Sequence, residues 1–222
     1  FVYSVGANFA YNHNEVGNIP TLDGIIHGAT NQIYQNAEEF YRAENGHAIG
    51  YFWGYKTAGI FQSQQDINNW IAAGNGVLQS NVQPGDVKYV DVNHDGAINA
   101  NDKVDLGNGL PKYTFGFNFT LGYKGFDLSA NFTYSIGNDV YNANKIEYTS
   151  SYQYYYRNMI DIMAEGKRWT NLDANGNLVN DPAQLAALNA NTTMWSPYTS
   201  DVLTDWAVED GSFLRLSTLT VG

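Results

Sequence analysis

The chain has 222 residues, with 11 basic against 22 acidic side chains and a formal net charge of −11. That balance argues against a nucleic-acid partner, which needs a basic stripe, and is compatible with calcium or with a neutral or cationic ligand. Cysteine is absent, which excludes disulfides, thiol catalysis and thiolate metal sites.

Aromatic residues make up 15% of the chain and charged residues also 15%, a low share for a water-facing surface. There is no apolar run near the ~20 residues that a membrane-spanning helix needs. A β-barrel needs none, because only alternate residues face lipid.

Phe1, Tyr3, Val5, Ala7, Phe9 and Tyr11 alternate with Val2, Ser4, Gly6, Asn8 and Ala10, so a strand is expected over 1–12. Residues 22–35 are ambiguous, with room for a short strand. Residues 36–45 carry Glu38, Glu39, Arg42 and Glu44 and suit a helical turn or a loop. Another strand is expected over about 48–61.

A polar connection over 62–111 follows. Inside it, Asp91-Val-Asn-His-Asp-Gly-Ala-Ile-Asn-Ala-Asn-Asp102 has the spacing of an EF-hand loop. Asp91, Asn93, Asp95, Asn99 and Asp102 place oxygens at positions 1, 3, 5, 9 and 12. Ala97 offers its carbonyl at position 7, and Gly96 stands where a sharp turn is needed. Calcium requires six to eight oxygens, and this spacing wraps them around one point. Position 12 is Asp instead of Glu, as in dockerin-type loops, and no entering helix is evident. Two readings stand: a structural calcium site, or an Asx-rich turn that folds without metal.

Strands are expected over 112–124 and 125–141, and the clearest signal lies at 113–136. Tyr113, Phe115, Phe117, Phe119, Leu121 and Tyr123 occupy alternate positions. After Lys124-Gly125 the phase restarts with Phe126, Leu128, Ala130, Phe132, Tyr134 and Ile136. Each run has about the length of a tilted bilayer-crossing strand, roughly 9–11 residues. One face is apolar and uncharged with aromatics at its ends; the other is Gly, Ser, Thr and Asn. A soluble β-sandwich also alternates. The uncharged face, the tyrosines at strand ends and the small polar opposite face favour an all-β, antiparallel transmembrane β-barrel.

A second polar connection covers about 142–210. Leu172 to Leu178 reads as a hairpin around Asn-Gly, and Pro182 to Asn189 as a short helix capped by Asp181. Tyr154, Tyr155, Tyr156, Trp195 and Trp206 are candidate contacts for a substrate or partner; packing within the connection is the plainer alternative. A last strand is expected over 212–222. Both ends fall within strand-like sequence, so the chain is expected to be a fragment. With short turns on the periplasmic side, both connections are expected outside the cell.

The chain also carries a family pattern. Pro84-Gly85-Asp86 leads into the Asp91–Asp102 loop, then Leu106-Gly107-Asn108, Pro111-Lys112-Tyr113-Thr114-Phe115-Gly116, Tyr123-Lys124-Gly125-Phe126-Asp127-Leu128 and Gly137-Asn138. Tyr11 to Glu15, Gly54 to Gln62 and Glu209 to Leu216 extend it in order along nearly the whole chain. This resembles the carboxy-terminal barrel region of SusC/RagA-type TonB-dependent transporters of the Bacteroidetes. One departure is His94, where that family commonly has Gly.

The resemblance implies a 22-stranded barrel in the outer membrane and an amino-terminal plug that meets TonB. It also implies a SusD-like surface lipoprotein as lid and import of oligosaccharides or peptides without chemistry on them. The competing reading is a soluble calcium-binding adhesion or scaffold module with a dockerin-like loop. An enzyme is disfavoured. The carboxylates Asp161, Glu165, Asp201, Asp205, Glu209 and Asp210 show no diagnostic arrangement, and His13, His27, His47 and His94 lack zinc spacing.

Overall fold

The computed structural model describes residues 1–28, 39–151, 157–198, 202 and 204–222. Its largest element is a four-stranded antiparallel sheet. The strands are β1 (Val2–Tyr11), β8 (Tyr113–Tyr123), β9 (Phe126–Ile136) and β12 (Phe213–Val221), side by side in that order. The period-two runs are therefore strands, and they are neighbours.

Register fixes the faces. Phe9 pairs with Phe115, and Phe115 with Tyr134; Ala7 pairs with Phe117, and Phe117 with Phe132. Cross-strand partners share a face, so one face is built from Tyr3, Val5, Phe9, Phe117, Phe119, Leu128 and their neighbours. In β12 the phase changes within the strand. Leu214 and Leu216 pair with Tyr134 and Phe132, whereas Leu219 and Val221 pair with Ala130 and Leu128. A bulge between Leu216 and Thr218 absorbs the odd residue, so all four side chains stay on the apolar face.

The opposite face carries Ser4, Gly6, Asn8, Gly116, Asn118, Asn131 and Thr133. It also holds the only charges of these strands, Asp127 and Arg215. Here small residues admit large ones. A Cβ on Gly6 would stand 2.8 Å from the Asn118 side chain, and one on Gly116 would stand 2.1 Å from that of Asn8. The two asparagines lie over the glycines of the adjacent strand.

The apolar face has no protein cover: Phe117 is 42% exposed, Phe126 72% and Leu219 58%. A contiguous aromatic and aliphatic surface of four strands is larger than a water-facing monomer sustains. The rings Phe9 and Phe115 (4.8 Å apart) and Tyr11 and Tyr113 (5.4 Å) pack sideways on one another.

β8 and β9 are joined by Lys124-Gly125, both at positive φ (50° and 87°), the geometry of a two-residue hairpin turn. Tyr11 pairs with Tyr113, Tyr113 with Ile136, and Phe213 with Ser135. Both long connections therefore leave from one rim, opposite the Lys124-Gly125 turn.

The connections differ from expectation. Residues 48–61 are not a strand of the main sheet. They split into β4 (Tyr51–Tyr55) and β5 (Thr57–Ile60). β4 lies in a separate four-stranded sheet with β2 (Ile25–His27), β3 (Tyr41–Glu44) and β7 (Lys103–Asn108). The first connection thus runs from 12 to 112 instead of beginning at 62. The described part of 36–45 holds a strand, β3, where a helical turn or loop was expected. β5 pairs with β6 (Val87–Tyr89). An unforeseen helix, α1 (Gln64–Ala72), starts at Ser63, whose hydroxyl accepts from Asp66 N.

In the second connection, β10 (Asp139–Tyr141) pairs with β11 (Val208–Asp210). They are followed and preceded by α2 (Ala143–Glu147) and α3 (Pro182–Leu188). α3 matches the expected helix: Asp181 Oδ1 accepts from Gln184 N at 2.9 Å, and Pro stands in the first turn. Leu172 pairs with Leu178, and Asp173 N donates to Asn177 O at 2.9 Å, as the hairpin reading requires.

Candidate functional site

The two connections fold together. One small core joins Phe40 to Ile146 and Ala207, with Tyr41, Phe52, Leu106 and Tyr141 against it. A second joins Tyr55, Val87, Tyr89 and Ile98, with Leu78, Trp195 and Val202 packed on them. Each core takes side chains from both connections.

Polar bonds lock the same junction. Asp205 Oδ1 accepts from Thr57 N (3.1 Å) and from Thr57 Oγ1 (2.8 Å). Gly85 O accepts from Ser196 N at 2.8 Å. Asp139 Oδ2 accepts from Asn108 N at 2.9 Å. Within the second connection, Lys145 Nζ bridges Trp206 O and Glu209 Oε1, both at 2.9 Å, and this lysine first, then Asn142, holds the Glu209 carboxyl below the usual range.

β3 and β4 add a rigid polar stack. Tyr51 is fully buried, and its hydroxyl donates to Glu44 Oε2 and accepts from Arg42 Nε. Burial, then the bond to Glu44, pushes this phenol up to about 12. The Arg42 guanidinium lies 3.3 Å from the Trp53 ring centre. This stack stiffens the connection and presents no reactive group.

The Asp91–Asp102 loop closes on its own amides. Asp91 Oδ2 accepts from Gly96 N (2.8 Å), and Asn93 Oδ1 from Asp95 N (3.0 Å). Asp95 Oδ1 accepts from Ala97 N (2.9 Å). Asn99 Oδ1 caps Asn101 N, while Asp102 accepts from Val92 N and Asn99 N and ties the loop's two ends. Asp91 and Asp102 are buried at 3% and 0% exposure. His94 is exposed at φ 58°, the left-handed region that glycine fills without strain. Among the described residues no three His, Asp or Glu side chains converge as a metal-binding group. The carboxylates are engaged by backbone, and each oxygen retains a second lone pair.

Of the candidate contact residues, Tyr154, Tyr155 and Tyr156 lie outside the described residues. Trp195 and Trp206 are half-buried and pack edge to face at 4.6 Å. Trp206 also lies under Lys145 Nζ at 4.4 Å. Trp195 packs on Tyr55, Val87, Tyr89 and Ile98 of the first connection, and Trp206 braces it from within the second.

Beside this junction opens a cleft of about 1030 Å³. Its first wall is Tyr55, α1 near Gln64, the segment 78–86 and Tyr89. Its second is Trp169, Asn171, Val179, Asn180, Pro182, Leu185, Ser196, Tyr198 and Val202. Tyr55, Tyr89 and Trp169 are buried in its floor, and Tyr198 is 75% exposed. Two of its residues carry buried polar atoms with no hydrogen-bond partner, Gln79 Oε1 and Trp169 Nε1. Sequence reading missed this cleft, because its walls are some ninety positions apart (Gln79 to Trp169).

No protein-family model matches the chain. Sequence relatives are receptors of Formosa agariphila. TonB-dependent receptor P3 is 27% identical over all of this chain and 20% of its own length. TonB-dependent receptor P39 is 30% identical over 64% of this chain and 15% of itself. TonB-dependent receptor P26 is 33% identical over 78% of this chain and 15% of itself. The chain thus spans a fifth or less of the relatives it matches.

Among solved structures, the RagAB peptide transporter superposes with a TM-score of 0.65 at 19% identity. The closed-closed state of the RagAB peptide importer superposes at 0.62 and 18%. Each covers 99% of this chain and 20% of that chain, and the likeness is one of fold. Sequence, sheet and exposed apolar face agree: the chain is similar to part of the TonB-dependent receptors, which are outer-membrane proteins of Bacteroidetes, and has the fold of part of the RagAB transporter.

Proposed function

We infer that the chain supplies part of the wall and part of the outer mouth of an importer for oligosaccharides or peptides. The observation that carries this is the apolar face of the four-stranded sheet, exposed across every strand with all strand charges on the other side. Hydrocarbon suits that face, and a wet lumen suits the Gly, Ser, Thr and Asn opposite. Neither β1 nor β12 has a partner on its outer edge among the described residues. In lipid an open edge is not tolerated, so further strands continue the sheet on both sides into a closed barrel, 22-stranded by family likeness. The connections form the extracellular face, where a SusD-like lipoprotein docks as lid. TonB acts through the plug. A soluble adhesion module is disfavoured by the same uncovered face.

Topology tests this directly, since the chain has no cysteine of its own. In intact cells, a membrane-impermeant maleimide is expected to label Asn175→Cys and to miss Lys124→Cys until the outer membrane is permeabilised. The reverse pattern overturns the orientation. Disrupting the gene is expected to stop uptake of labelled oligosaccharides or peptides, and unchanged uptake of both overturns import.

Calcium in the Asp91–Asp102 loop belongs to the same proposal. Asp91, Asn93, Asp95, the Ala97 carbonyl, Asn99 and Asp102 supply the oxygens, and the ion's role is to stiffen the loop. The support is spacing plus the lone pairs left after the amide bonds. Chelation is expected to speed proteolysis between residues 91 and 102, with calcium, but not magnesium, restoring protection. Equal cleavage with and without chelator assigns the loop to Asx turns alone.

A further inference from the structure

The geometry points to a held lipid at the outer rim of the sheet: one phosphate-bearing, acylated molecule of the outer leaflet, its head at Lys112 and a tail in the groove below. This goes beyond import and rests on the proposed orientation, with both connections outside the cell. The head site lies where β1 and β8 reach the rim. Tyr11 and Tyr113 are register partners on the apolar face, with ring centres 5.4 Å apart. The His13 ring lies parallel to that of Tyr11, and Lys112 Nζ stands 5.7 Å from the Tyr113 ring centre. Tyr11, His13 and Lys112 are exposed.

The backbone holds Lys112 in place. Its N–H donates to Ile136 O and its carbonyl accepts from Asn12 N, both at 2.9 Å, so the ladder runs one step past Tyr113 on both sides. Gly137 lies beside it, where an added Cβ would stand 3.1 Å from Lys112 Cβ. The glycine leaves room for the lysine stem, which carries its charge toward the membrane interface.

Charge singles this lysine out. In the connections Arg42, Lys88, Lys145 and Arg157 each pair with a carboxylate, at 2.8 to 3.1 Å. Among the described residues no carboxylate pairs with Lys112, whose neighbour is a ring. An ammonium has three donors and is an ordinary partner for phosphate. The charged residues of the strands, Asp127 and Arg215, lie on the other face, so no strand residue of the apolar face repels an anion.

The tail site continues from the head site. Phe115, Phe117, Phe132, Tyr134 and Leu214 line a groove of about 350 Å³ on the apolar face. Phe115 and Phe117 follow Tyr113 on that face, so at about 3.4 Å per residue the groove begins roughly 7–14 Å below it. That depth is the outer half of a hydrocarbon core about 30 Å thick. Lipid touches every exposed ring of this face. Here a cation, two phenols and a groove follow one another down a strand, as head and tail do in one amphiphile. With the connections outside, the leaflet at this height is the outer one, built of phosphorylated, multiply acylated glycolipid.

The test is photocrosslinking in intact cells. The whole receptor carries p-benzoylphenylalanine in place of Leu214 in the groove, or of Val221 near the Lys124-Gly125 turn. Adducts are identified by mass spectrometry and normalised to the folded barrel. Position 214 is expected to capture the phosphorylated glycolipid. Lys112→Gln alters an exposed side chain, so the fold is retained. It is expected to lower the adduct at 214 about five-fold and to leave that at 221 as it was. Lys124→Gln is expected to leave the adduct at 214 unchanged. A glycerophospholipid or no adduct at 214, or an adduct there that Lys112→Gln does not reduce, overturns the site. The maleimide pattern scores the orientation separately. A reversed pattern with glycerophospholipid at 214 traces the failure to the orientation. The expected pattern with an adduct indifferent to Lys112 removes the site and leaves the wall and mouth standing.

Discussion

A receptor carrying Phe117→Arg is expected to be missing from the outer membrane, while one carrying Asn118→Arg assembles at near-normal levels. The two residues are adjacent at the centre of β8, so their local sequence and backbone are almost the same. Phe117 pairs with Ala7 and Phe132 on the apolar face and is 42% exposed. In the proposed barrel that exposure is to lipid at mid-depth, where arginine costs about 2–4 kcal/mol. Losses of that size consume much of a typical domain's stability of about 5–15 kcal/mol. Asn118 faces the other way, beside Asn131 and over Gly6. Arginine there extends into water, and the usual cost of a surface exchange is about 0.5 kcal/mol. The readout is the heat-modifiable band of folded barrel in isolated outer membranes. Equal loss, or equal retention, of the two variants contradicts the assignment of faces.

That contrast rests on what the sequence carries most plainly. Period-two alternation states which medium each face meets, so β1, β8 and β12 were legible with their boundaries nearly right, whereas the strand expected over 125–141 ends at Ile136, where Gly137 at φ 76° turns the chain and Asp139–Tyr141 joins another sheet. Even the phase change in β12 is visible in the spacing of Leu214, Leu216, Leu219 and Val221, once a bulge is allowed. The connections were read less well. Tyr51-Phe52-Trp53-Gly54-Tyr55 looks like another lipid-crossing run, but aromatic richness does not tell lipid from a local core. Tyr51 is in fact fully buried against Arg42 and Glu44. Gly59 at φ 96° also marks the irregular course of this segment.

α1 was within reach. Ser63 and Asp66 form an N-terminal cap, and Ile67, Trp70 and Ile71 recur at helical spacing. The glutamines and asparagines between them drew the reading toward a loop. The cleft was out of reach, because no local pattern brings Gln79 to Trp169. The aromatic residues proposed as contacts illustrate the same limit. Trp195 and Trp206, read as candidate contacts for a substrate or partner, pack on each other, on Lys145 and, through Trp195, on the Tyr55–Ile98 core, a set of neighbours that no local pattern displays.

Gly85→Ala is expected to loosen the junction of the two connections and leave the membrane sheet intact. Gly85 has φ 95°, and a non-glycine residue held in such a region costs about 1–3 kcal/mol. Space is also lacking: an added Cβ would stand 2.5 Å from the Trp169 ring and 2.9 Å from Ser196 Cβ. Overpacking of this kind typically adds about 1–3 kcal/mol. Relief requires Trp169 or Ser196 to withdraw, and Gly85 O then loses its bond from Ser196 N. Gly176→Ala separates the two causes, since its φ is 81° but nothing stands within 4 Å of the new Cβ. Limited proteolysis is expected to cut Gly85→Ala rapidly in both connections and Gly176→Ala only at its own hairpin. Both variants keep the heat-modifiable band, because neither glycine lies in the four-stranded sheet. Matching protease resistance of Gly85→Ala and the unaltered receptor shows that the junction is held elsewhere.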